Sequence, residues 1–386
     1  MIAYTKYNLD ARVRREAESL ARDSGYEITV LSLKQDFLPR HYISNGVAVK
    51  ELNIEKYRGK SRSKYLWTYL KFMWLAWMSC TKRFVQAKID IVHVHNMPNF
   101  LIFSAILPRL FGKKLILDIH DSMPETFSSK FTSFSKLFFK MLCVEEKICC
   151  ALAHKIICVN HVQKEVLSQR GIPDHKMFIS MNAPDHNIFN PSKMKQCSSS
   201  NGKKFKIVYH GTITRRLGVD LVIHALALLG DKIPNSELHI WGEGELLSEC
   251  IELSKKSDVK NKVFFHGTVD SHSLPEILSE MDLGVVANRQ SEATEMMLPV
   301  KMLEYVALGI PVVGPKLRGI NYYFSDGMLS YFEAGDVDSL ARAILKLFEN
   351  EELRKIQAKQ AKMFLDRYGW KKQEIEYKRF YEGLGR

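Results

Sequence analysis

A lysine and a glutamate three residues apart, Lys301 and Glu304, form the most informative charged pair in the sequence. Pro299 precedes the pair and Gly309 follows it, and these residue types are typical of the first turn and the end of a helix. The spacing places both charges on one helical face near the N-terminus. There the dipole and the ammonium group favour a phosphate, and the carboxylate can bind the two hydroxyls of a ribose. The pattern indicates a nucleotide site; the alternative is an ordinary amphipathic helix packed on a sheet.

The segment that begins at Glu304 resembles a known signature. Glu304-Tyr-x-Ala-x-Gly-x-Pro-Val-Val is similar to the nucleotide-sugar signature of the retaining glycosyltransferases of family 4, group 1, of the bacterial surface-polysaccharide type. The resemblance implies an α/β protein with the GT-B fold, in which two Rossmann-like, doubly wound parallel-sheet domains face a cleft. It also implies that Glu304 holds the ribose of the donor.

One position departs from the family pattern. The usual signature has another glutamate eight residues before Glu304, where this chain has Met296. Glu292 and Glu295 lie nearby but out of register, and the sequence leaves open whether one of them replaces it. The Pro-x-Lys-x-x-Glu-Tyr form resembles a subgroup of the family in which Lys301 takes over part of that role.

A glycine-containing loop opens the second half of the chain. An apolar run leads into Gly211, where the backbone can approach a pyrophosphate closely, and Arg215 and Arg216 follow as cations for a leaving diphosphate. The family carries an arginine directly after this glycine and a lysine before the next one, where this chain has Thr212 and Leu217. At least one of the two arginines is expected to substitute, and the sequence leaves open which. The alternative is a surface turn with two solvated arginines.

Further donor-site candidates follow the next predicted strands of the second half. They are Gly242, Val269, Asn288 and Arg289. The carboxyl ends of parallel strands meet at one edge of a sheet, where ligands bind, so we expect these residues to lie together. The resemblance implies that the turn at Gly242 lies beside the nucleotide and that the backbone near Val269 meets the base. Arg289 is a candidate to reach the phosphates or an acidic sugar.

Polar residues at two predicted strand ends mark the first half. They are His95 and Asn96 at one end, and His120, Asp121 and Glu125 at the other. The second group resembles the family motif whose histidine contacts the donor sugar near the reacting carbon, which makes His120 the candidate. Asp121 and Glu125 could hold His120 or bind acceptor hydroxyls. His95 and Asn96 are candidates for the same acceptor side. The alternative is a helix-capping aspartate and a proline-led helix start.

Alternating apolar runs and amphipathic segments predict the elements that position these residues. Buried-strand runs occur at residues 1–4, 28–33, 89–95 and 114–120, and again at 205–210, 237–241, 263–265, 283–286 and 310–313. Strands that alternate with helices predict a parallel sheet in each half. The expected boundaries are 1–190 for an acceptor domain and 205–365 for a donor domain, with a polar linker at Pro191–Lys204. The segment 366–386 is expected to be a helix that packs back on the first domain.

The first helix carries several arginines. Asp10 is predicted to cap it, and the helix is expected to run through Leu20 to an end near Gly25. Arg12, Arg14 and Arg15 either line the acceptor side or form the solvent-exposed face, and we favour the exposed face.

Charge and cysteine content restrict the partners. Residues 1–190 contain 28 Lys and Arg against 17 Asp and Glu. This half therefore carries most of the net charge of +13 of the whole chain. A basic first half indicates an anionic partner, and nucleic acid is not expected because no zinc finger, RNA-binding signature or helix-turn-helix is present. Seven cysteines without a paired framework, and no signal-peptide pattern, favour the cytoplasm.

The segment 60–83 combines aromatic and basic residues. It contains three of the five tryptophans, with Lys60, Arg62 and Lys64 before the apolar run and Lys82 and Arg83 after it. The apolar run is shorter than the roughly 20 residues that span a bilayer. It is either an amphipathic helix at the inner face of the cytoplasmic membrane, with Trp at the interface and Lys and Arg on anionic lipid, or a core helix with a wide apolar face.

The sequence predicts neither a metal nor another cofactor. Asp336-Val-Asp338 matches the Asp-x-Asp metal pattern of another glycosyltransferase fold, but its position predicts a helix cap. The thirteen histidines show no clustered ligand spacing. The expected activity is metal-independent transfer from a nucleoside diphosphate-sugar, with UDP favoured over GDP, to a glycan or lipid-linked acceptor with retention of configuration. The alternatives are a nucleotide-sugar epimerase on a GT-B-like fold and a non-catalytic membrane-associated scaffold.

Overall fold

A computed structural model of the protein describes most of the chain in two compact units. Unit 1 comprises Met1–Asn182 with Gln373–Arg386, and unit 2 comprises Ala183–Lys372. The described residues are 1–23, 25–35, 38–57, 61–130, 135–190, 204–256 and 259–384. Most of the predicted linker and Lys60 therefore lie outside the described residues.

An eight-stranded sheet with the order β3-β4-β2-β1-β5-β6-β7-β8 forms the centre of unit 1. All neighbouring strands are parallel except β3 and β4, which form a hairpin through Asn45 and Gly46, both at positive φ. Asn-Gly is the preferred sequence for such a two-residue turn. The strands are β1 Ile2–Ala3, β2 Thr29–Leu33, β3 His41–Ser44, β4 Val47–Leu52, β5 Ile91–His95, β6 Lys114–Ile119, β7 Lys155–Cys158 and β8 Met177–Ile179. The sequence prediction found four of them and missed the hairpin and the last two strands.

Helices cover this sheet. The predicted cap of the first helix is present, because Asp10 Oδ1 accepts a hydrogen bond from the Val13 amide at 3.1 Å. A 3-10 helix, Asn99–Ala105, precedes the third helix. The α-helices of this part are α1 Ala11–Asp23, α2 Arg62–Val85, α3 Ile106–Leu110, α4 Met123–Lys130, α5 Lys136–Leu152 and α6 His161–Gln169. No helix among the described residues is long and apolar enough to cross a membrane.

Unit 2 contains a six-stranded sheet with the order β11-β10-β9-β12-β13-β14, and all its strand pairs are parallel. The five strands predicted for this half are present, although the fifth begins at Val312 rather than Ile310, and β14 was not predicted. The strands are β9 Phe205–His210, β10 Ser236–Trp241, β11 Val263–Gly267, β12 Leu283–Val285, β13 Val312–Pro315 and β14 Ser330–Phe332. The doubly wound parallel architecture predicted for both halves is confirmed.

The helices of unit 2 begin and end close to where their capping residues indicate. Pro299 occupies the N-cap of α11, and Gly309 ends it in the left-handed conformation at φ 75°. Asp336 caps α13 by accepting a hydrogen bond from the Ser339 amide at 3.0 Å, as predicted. The helices are α7 Val219–Leu229, α8 Leu247–Lys256, α9 Leu274–Ser279, α10 Glu292–Glu295, α11 Val300–Leu308, α12 Arg318–Asn321, α13 Val337–Glu349, α14 Glu351–Ala361, α15 Met363–Tyr368 and α16 Trp370–Glu382. From Gln373 onward, α16 belongs to unit 1.

Candidate donor and acceptor sites

Glycines bring three strand-end loops of unit 2 into close backbone contact. Gly218 and Gly242 both have positive φ, 68° and 140°. A Cβ at Gly218 would lie 1.9 Å from the Ala287 carbonyl oxygen, and one at Gly242 would lie 1.9 Å from the Gly211 carbonyl oxygen. Both distances are far too short for a side chain, so only glycine fits. The loops after β9, β10 and β12 therefore meet at the carboxyl edge of the sheet, where the sequence placed the donor candidates.

Lys301 points its ammonium group into this edge. Its Nζ lies 3.7 Å from the centre of the Tyr209 ring, and the space beside Gly211 is next to it, since a Cβ there would lie 3.3 Å from Nζ. The Nζ atom is buried and has no hydrogen-bond partner among the described residues. Burial lowers the pKa of Lys301 to about 7, although the Glu304 carboxylate acts in the opposite direction. An unpaired buried cation beside a glycine backbone is a site that an anion would complete.

Glu304 is held in place by a histidine. Its Oε2 atom lies 2.6 Å from His210 Nε2, and His210 Nδ1 lies 2.9 Å from the Tyr305 hydroxyl. A carboxylate only accepts hydrogen bonds, so Nε2 carries the proton that the histidine donates. The sequence analysis missed His210, although it directly precedes Gly211. Its partners come from α11, so sequence position alone does not reveal the contact.

The cations near the glycine loop differ in their partners. Arg215 is exposed and binds both carboxylate oxygens of Glu249, at 2.7 and 2.8 Å. Arg289 binds Asp220 through two hydrogen bonds of 2.6 and 2.8 Å. Burial raises the pKa of Asp220, but the Arg289 bonds outweigh it, so the pKa is lowered. Within the described part of the chain, Arg216 has no carboxylate partner, which makes it the better placed of the two loop arginines to meet a phosphate.

The remaining donor candidates lie in the loops that follow β9, β11 and β12. Asn288 is buried, and its side-chain oxygen has no hydrogen-bond partner among the described residues. The Thr212 carbonyl accepts a hydrogen bond from Tyr209 at 2.9 Å, and Val269 is half-buried two residues after β11.

At the position of the missing family glutamate, Met296 is buried. Of the two glutamates nearby, Glu295 accepts a hydrogen bond from the Arg318 amide at 2.8 Å, and Glu292 is exposed.

Asn96 joins two strand ends of unit 1. Its side-chain oxygen accepts hydrogen bonds from the amides of His120 and Asp121, at 2.8 and 3.4 Å. Its amide nitrogen donates to the Asp121 carbonyl at 2.8 Å and to Asn99 at 2.9 Å. The loops after β5 and β6 are therefore tied together, and the backbone that carries His120 is fixed.

His120 lies beside a buried carboxylate and a second histidine. Its Nε2 atom is 3.1 Å from Asp118 Oδ2 and 3.0 Å from His95 Nδ1. Burial opposes the charged imidazolium, but the Asp118 carboxylate outweighs it and raises the pKa of His120. His95 is fully enclosed, and burial together with the neighbouring His93 lowers its pKa well below the ordinary value. The two shifts therefore favour a positive charge on His120 over one on His95, and the His120 ring is 21% exposed.

Arg12 compensates the charge of Asp118. Its Nε and Nη2 atoms bind the two carboxylate oxygens of Asp118, at 3.0 and 2.9 Å, and Nη1 donates to the Ser180 carbonyl at 2.8 Å. The expectation that the arginines of α1 form its exposed face is wrong for Arg12 and Arg15, which are only 3% and 8% exposed. Arg14 remains half-exposed. The reason is that α1 is covered on both sides, so its polar groups pair internally.

Two tyrosines of α16 complete this polar network. Tyr377 donates a hydrogen bond of 3.3 Å to Glu16, and the Tyr381 hydroxyl lies 2.6 Å from His93 Nδ1.

Glu16, His93, His95 and Asp118 could offer four metal-ligand atoms within 4.8 Å of one another. However, Arg12 lies 2.9 Å from Asp118 and 3.2 Å from Glu16. Both carboxylates of this group are therefore already paired with the Arg12 guanidinium.

Glu125 and Asp121 have different surroundings. Glu125 is buried and forms an ion pair with Arg170, which also binds Glu146 at 2.6 Å. Asp121 is exposed, and only its backbone is held by Asn96. Asp121 is therefore available to a ligand hydroxyl, whereas Glu125 is already occupied within unit 1.

Comparisons with known proteins agree with this architecture. Residues 192–364 match the family model for glycosyl transferases group 1, and residues 11–187 match the model for glycosyltransferase family 4. N-acetyl-alpha-D-glucosaminyl L-malate synthase of Bacillus anthracis is 23% identical over 283 residues, which cover 72% of this chain and 70% of the relative. Chitobiosyldiphosphodolichol beta-mannosyltransferase of Candida albicans is 23% identical over 285 residues, which cover 68% of this chain and 62% of the relative.

Solved structures share the fold at low sequence identity. Sucrose-phosphate synthase from Thermosynechococcus elongatus superposes with a TM-score of 0.78 at 16% identity, covering 99% of this chain and 98% of that one. Anabaena HepE in complex with UDP-glucose superposes with a TM-score of 0.71 at 14% identity, covering 99% and 98%. The two family models between them match most of both units, and the chain belongs to the GT-B glycosyltransferases of family 4, group 1.

Proposed function

We propose that the protein transfers a sugar from a nucleoside diphosphate-sugar, with UDP favoured over GDP, to a glycan or lipid-linked acceptor with retention of configuration. The buried Lys301 ammonium beside Gly211 carries this proposal, because it lacks an anionic partner that a diphosphate would supply. The Glu304 carboxylate, fixed by His210 at 2.6 Å, is oriented for the ribose hydroxyls. UDP as the nucleotide is supported by HepE, which was solved with UDP-glucose.

The proposed chemistry needs cations rather than a metal. The diphosphate leaves against the Gly211 backbone, Lys301, the N-terminus of α11 and Arg216, which stabilise the developing negative charge. Transition-state charge that meets fixed cations in a dry site is stabilised strongly, because little water has to reorganise. Lys301 suits this role, since a proton held with a pKa of about 7 becomes firmly bound when the phosphate charge grows.

His120 is the proposed contact to the donor sugar. The His120 ring is oriented by Asp118 and by the Asn96 bond to its backbone. The ring can form a hydrogen bond with a sugar hydroxyl near the reacting carbon, and the exposed Asp121 can bind an acceptor hydroxyl. The scheme contains no carboxylate nucleophile, and retention then requires that the acceptor oxygen form its bond to the anomeric carbon on the side on which the bond to the diphosphate breaks.

The proposed location is peripheral, at the inner face of the cytoplasmic membrane, in cell-surface polysaccharide biosynthesis. The net charge of +13 and the Trp-rich segment 60–83 support an anionic surface as a partner. A lipid-linked acceptor would be presented at the same surface.

Replacing Glu304 by alanine is expected to weaken nucleotide binding by about 10- to 100-fold, because hydrogen bonds to a charged carboxylate each contribute about 1.5–3 kcal/mol. The measurement is calorimetric titration of both proteins with UDP, GDP, ADP and CDP. Glu333→Ala serves as the control, since Glu333 is an exposed glutamate of unit 2 that is paired with Lys316. The nucleotide affinity of this control variant should equal that of the parent. Absence of binding to all four nucleotides would favour the scaffold alternative, and turnover of a UDP-sugar without acceptor would favour the epimerase.

His210→Ala is expected to reduce nucleotide affinity by about tenfold, since Glu304 loses the hydrogen bond that orients it. The amide of His210→Gln can donate from nearly the same position, so this variant should recover most of the affinity. Both variants should melt within a few degrees of the parent. Equal affinity in all three proteins would show that His210 does not position Glu304.

A further inference from the structure

Helix α2 exposes large apolar side chains along one face. Trp67, Leu70, Trp74 and Met78 follow one another at spacings of three and four residues, and Trp67 and Trp74 are 67% and 57% exposed. The opposite face is also apolar, since Phe72 is fully buried in the core of unit 1. The alternative of a core helix with a wide apolar face is therefore the one that the structure shows, and the exposed outer face is apolar as well.

Helix α5 repeats this arrangement. Leu137, Met141, Val144 and Ile148 have the same helical spacing and are all at least half exposed. Its inner face is anchored by the buried Cys149. The sequence analysis did not single out this helix, because its apolar residues do not reveal which of them face solvent.

The two helices belong to one layer of unit 1. Both pack against the 3-10 helix Asn99–Ala105, and inner residues of all three elements, among them Phe72, Leu101 and Cys149, join the same apolar core. Phe103 of the 3-10 helix is 36% exposed. The two helices therefore pack on the same 3-10 helix, and each carries its own exposed apolar stripe. Exposed apolar surface of this extent is uncommon on a monomeric protein and marks an interaction site.

The charges on this layer have one sign. Helix α2 contains no Asp or Glu, and the two glutamates of α5 are engaged inside unit 1: Glu145 accepts a hydrogen bond from Asn99 at 3.0 Å, and Glu146 binds Arg170 at 2.6 Å. Among the side chains that the structure describes, the exposed charged ones of the two helices are all lysines: Lys64, Lys71 and Lys82 on α2, and Lys136, Lys140 and Lys147 on α5.

We propose that α2 and α5 form a two-helix docking face that lies in the headgroup region of an anionic lipid bilayer. Tryptophan and aliphatic side chains enter the boundary between headgroups and acyl chains, and the lysines bind lipid phosphates. Because stripes on two helices contact the membrane, the face fixes the orientation of unit 1, which a single helix would not do. The inference deepens the proposed function, since it names the surface at which a lipid-linked acceptor would be met.

The test is co-sedimentation with vesicles, without nucleotide. The parent protein should bind phosphatidylcholine vesicles that contain about 30% phosphatidylglycerol, more weakly when the salt is raised and more weakly still to pure phosphatidylcholine. The α2 variant is Trp67→Gln with Trp74→Gln, and the α5 variant is Met141→Gln with Ile148→Gln. Each should lower the partition coefficient by about tenfold or more. A control that replaces the equally exposed Leu228 and Ile375 by glutamine should bind like the parent.

Each result decides the proposal. Loss of binding in both variants supports the two-helix face. Loss in the α2 variant alone reduces the site to a single helix and overturns the role of α5. Failure of the parent to bind anionic vesicles overturns the whole proposal, as does a concentration-dependent dimer that both variants abolish, because a second copy would then cover the face. All variants should bind nucleotide like the parent, so a protein that binds vesicles but no nucleotide would retain this face and lose the proposed function.

Discussion

Lys301→Met is expected to weaken nucleotide binding by at least about tenfold and, at the same time, to stabilise the unliganded protein. The ammonium is buried beside Gly211 without a hydrogen-bond partner in the described part of the chain, so it contributes to the folded state only when an anion is present. A pKa of about 7, against roughly 10.4 for a free lysine, corresponds to a cost of the order of 2–4 kcal/mol at neutral pH. Methionine retains the apolar packing on Tyr209 without the charge.

The size of this effect depends on pH in a defined way. Because the folded pKa is lower than the unfolded one, the unfolded state binds the extra proton between about pH 7 and 10. The stability of the parent therefore rises with pH across this range, and the gain from Lys301→Met is largest at or below pH 7 and shrinks towards pH 10. Urea unfolding of both proteins at pH 6.5, 8 and about 9.5 measures it.

Calorimetry provides the matching test of the liganded state. A bound diphosphate raises the lysine pKa, so nucleotide binding at pH 8 should take up close to one proton in the parent and less in the variant. Titrations in two buffers of different ionisation enthalpy give this number. Lys316→Met, at an exposed lysine paired with Glu333, should change neither stability nor affinity noticeably. An unchanged or lower stability of the Lys301 variant at pH 6.5 would contradict the assignment of an uncompensated buried charge.

Arg12→Met is expected to destabilise unit 1 by about 3–5 kcal/mol, because it removes one partner of a buried ion pair and leaves the other. Burial alone would raise the pKa of Asp118, but Arg12 holds it well below its usual range in the parent. Without the guanidinium, Asp118 binds a proton more readily in the folded state than in the unfolded one. The deficit of the variant should therefore grow as the pH rises from about 5 to 8.

Chemical unfolding at the two pH values measures this deficit, and Arg14→Met is the matched control. Arg14 lies on the same helix but is half-exposed, so its replacement should cost less than about 1 kcal/mol. Arg12→Lys should recover only part of the stability, since a lysine supplies the charge but not the two parallel hydrogen bonds to Asp118. A loss below about 1 kcal/mol for Arg12→Met would contradict the role of the pair.

The fold and the donor helix were readable from the sequence because their signals are local. Pro299 and Gly309 mark the ends of α11, and continuous apolar runs mark the strands of the second sheet. The hairpin of β3 and β4 also had a local signal in Asn45-Gly46, but its short strands alternate in exposure and lack an apolar run. The missed β7, β8 and β14 have only three or four residues each.

The polar network of unit 1 could not be predicted in the same way. Arg12 and Asp118 are 106 residues apart, and Glu16 and Tyr377 are 361 apart. Nothing in the neighbourhood of Arg12 distinguishes it from the half-exposed Arg14, because the difference arises only when β6 and α16 cover the helix. For the same reason His210 gave no signal of its own, since its contact with Glu304 depends on how α11 packs against β9.

The position of α16 has a consequence for the order in which the chain folds. Tyr377 and Tyr381 supply hydroxyls to Glu16 and His93, so the interior of unit 1 is completed by residues that follow unit 2 in the chain. Closing a contact between residues 361 positions apart carries a large entropic cost in a disordered chain. Prior folding of unit 2, which forms most of the intervening segment, shortens the effective loop. During synthesis, the polar interior of unit 1 can therefore be completed only after the residues of unit 2 have been made.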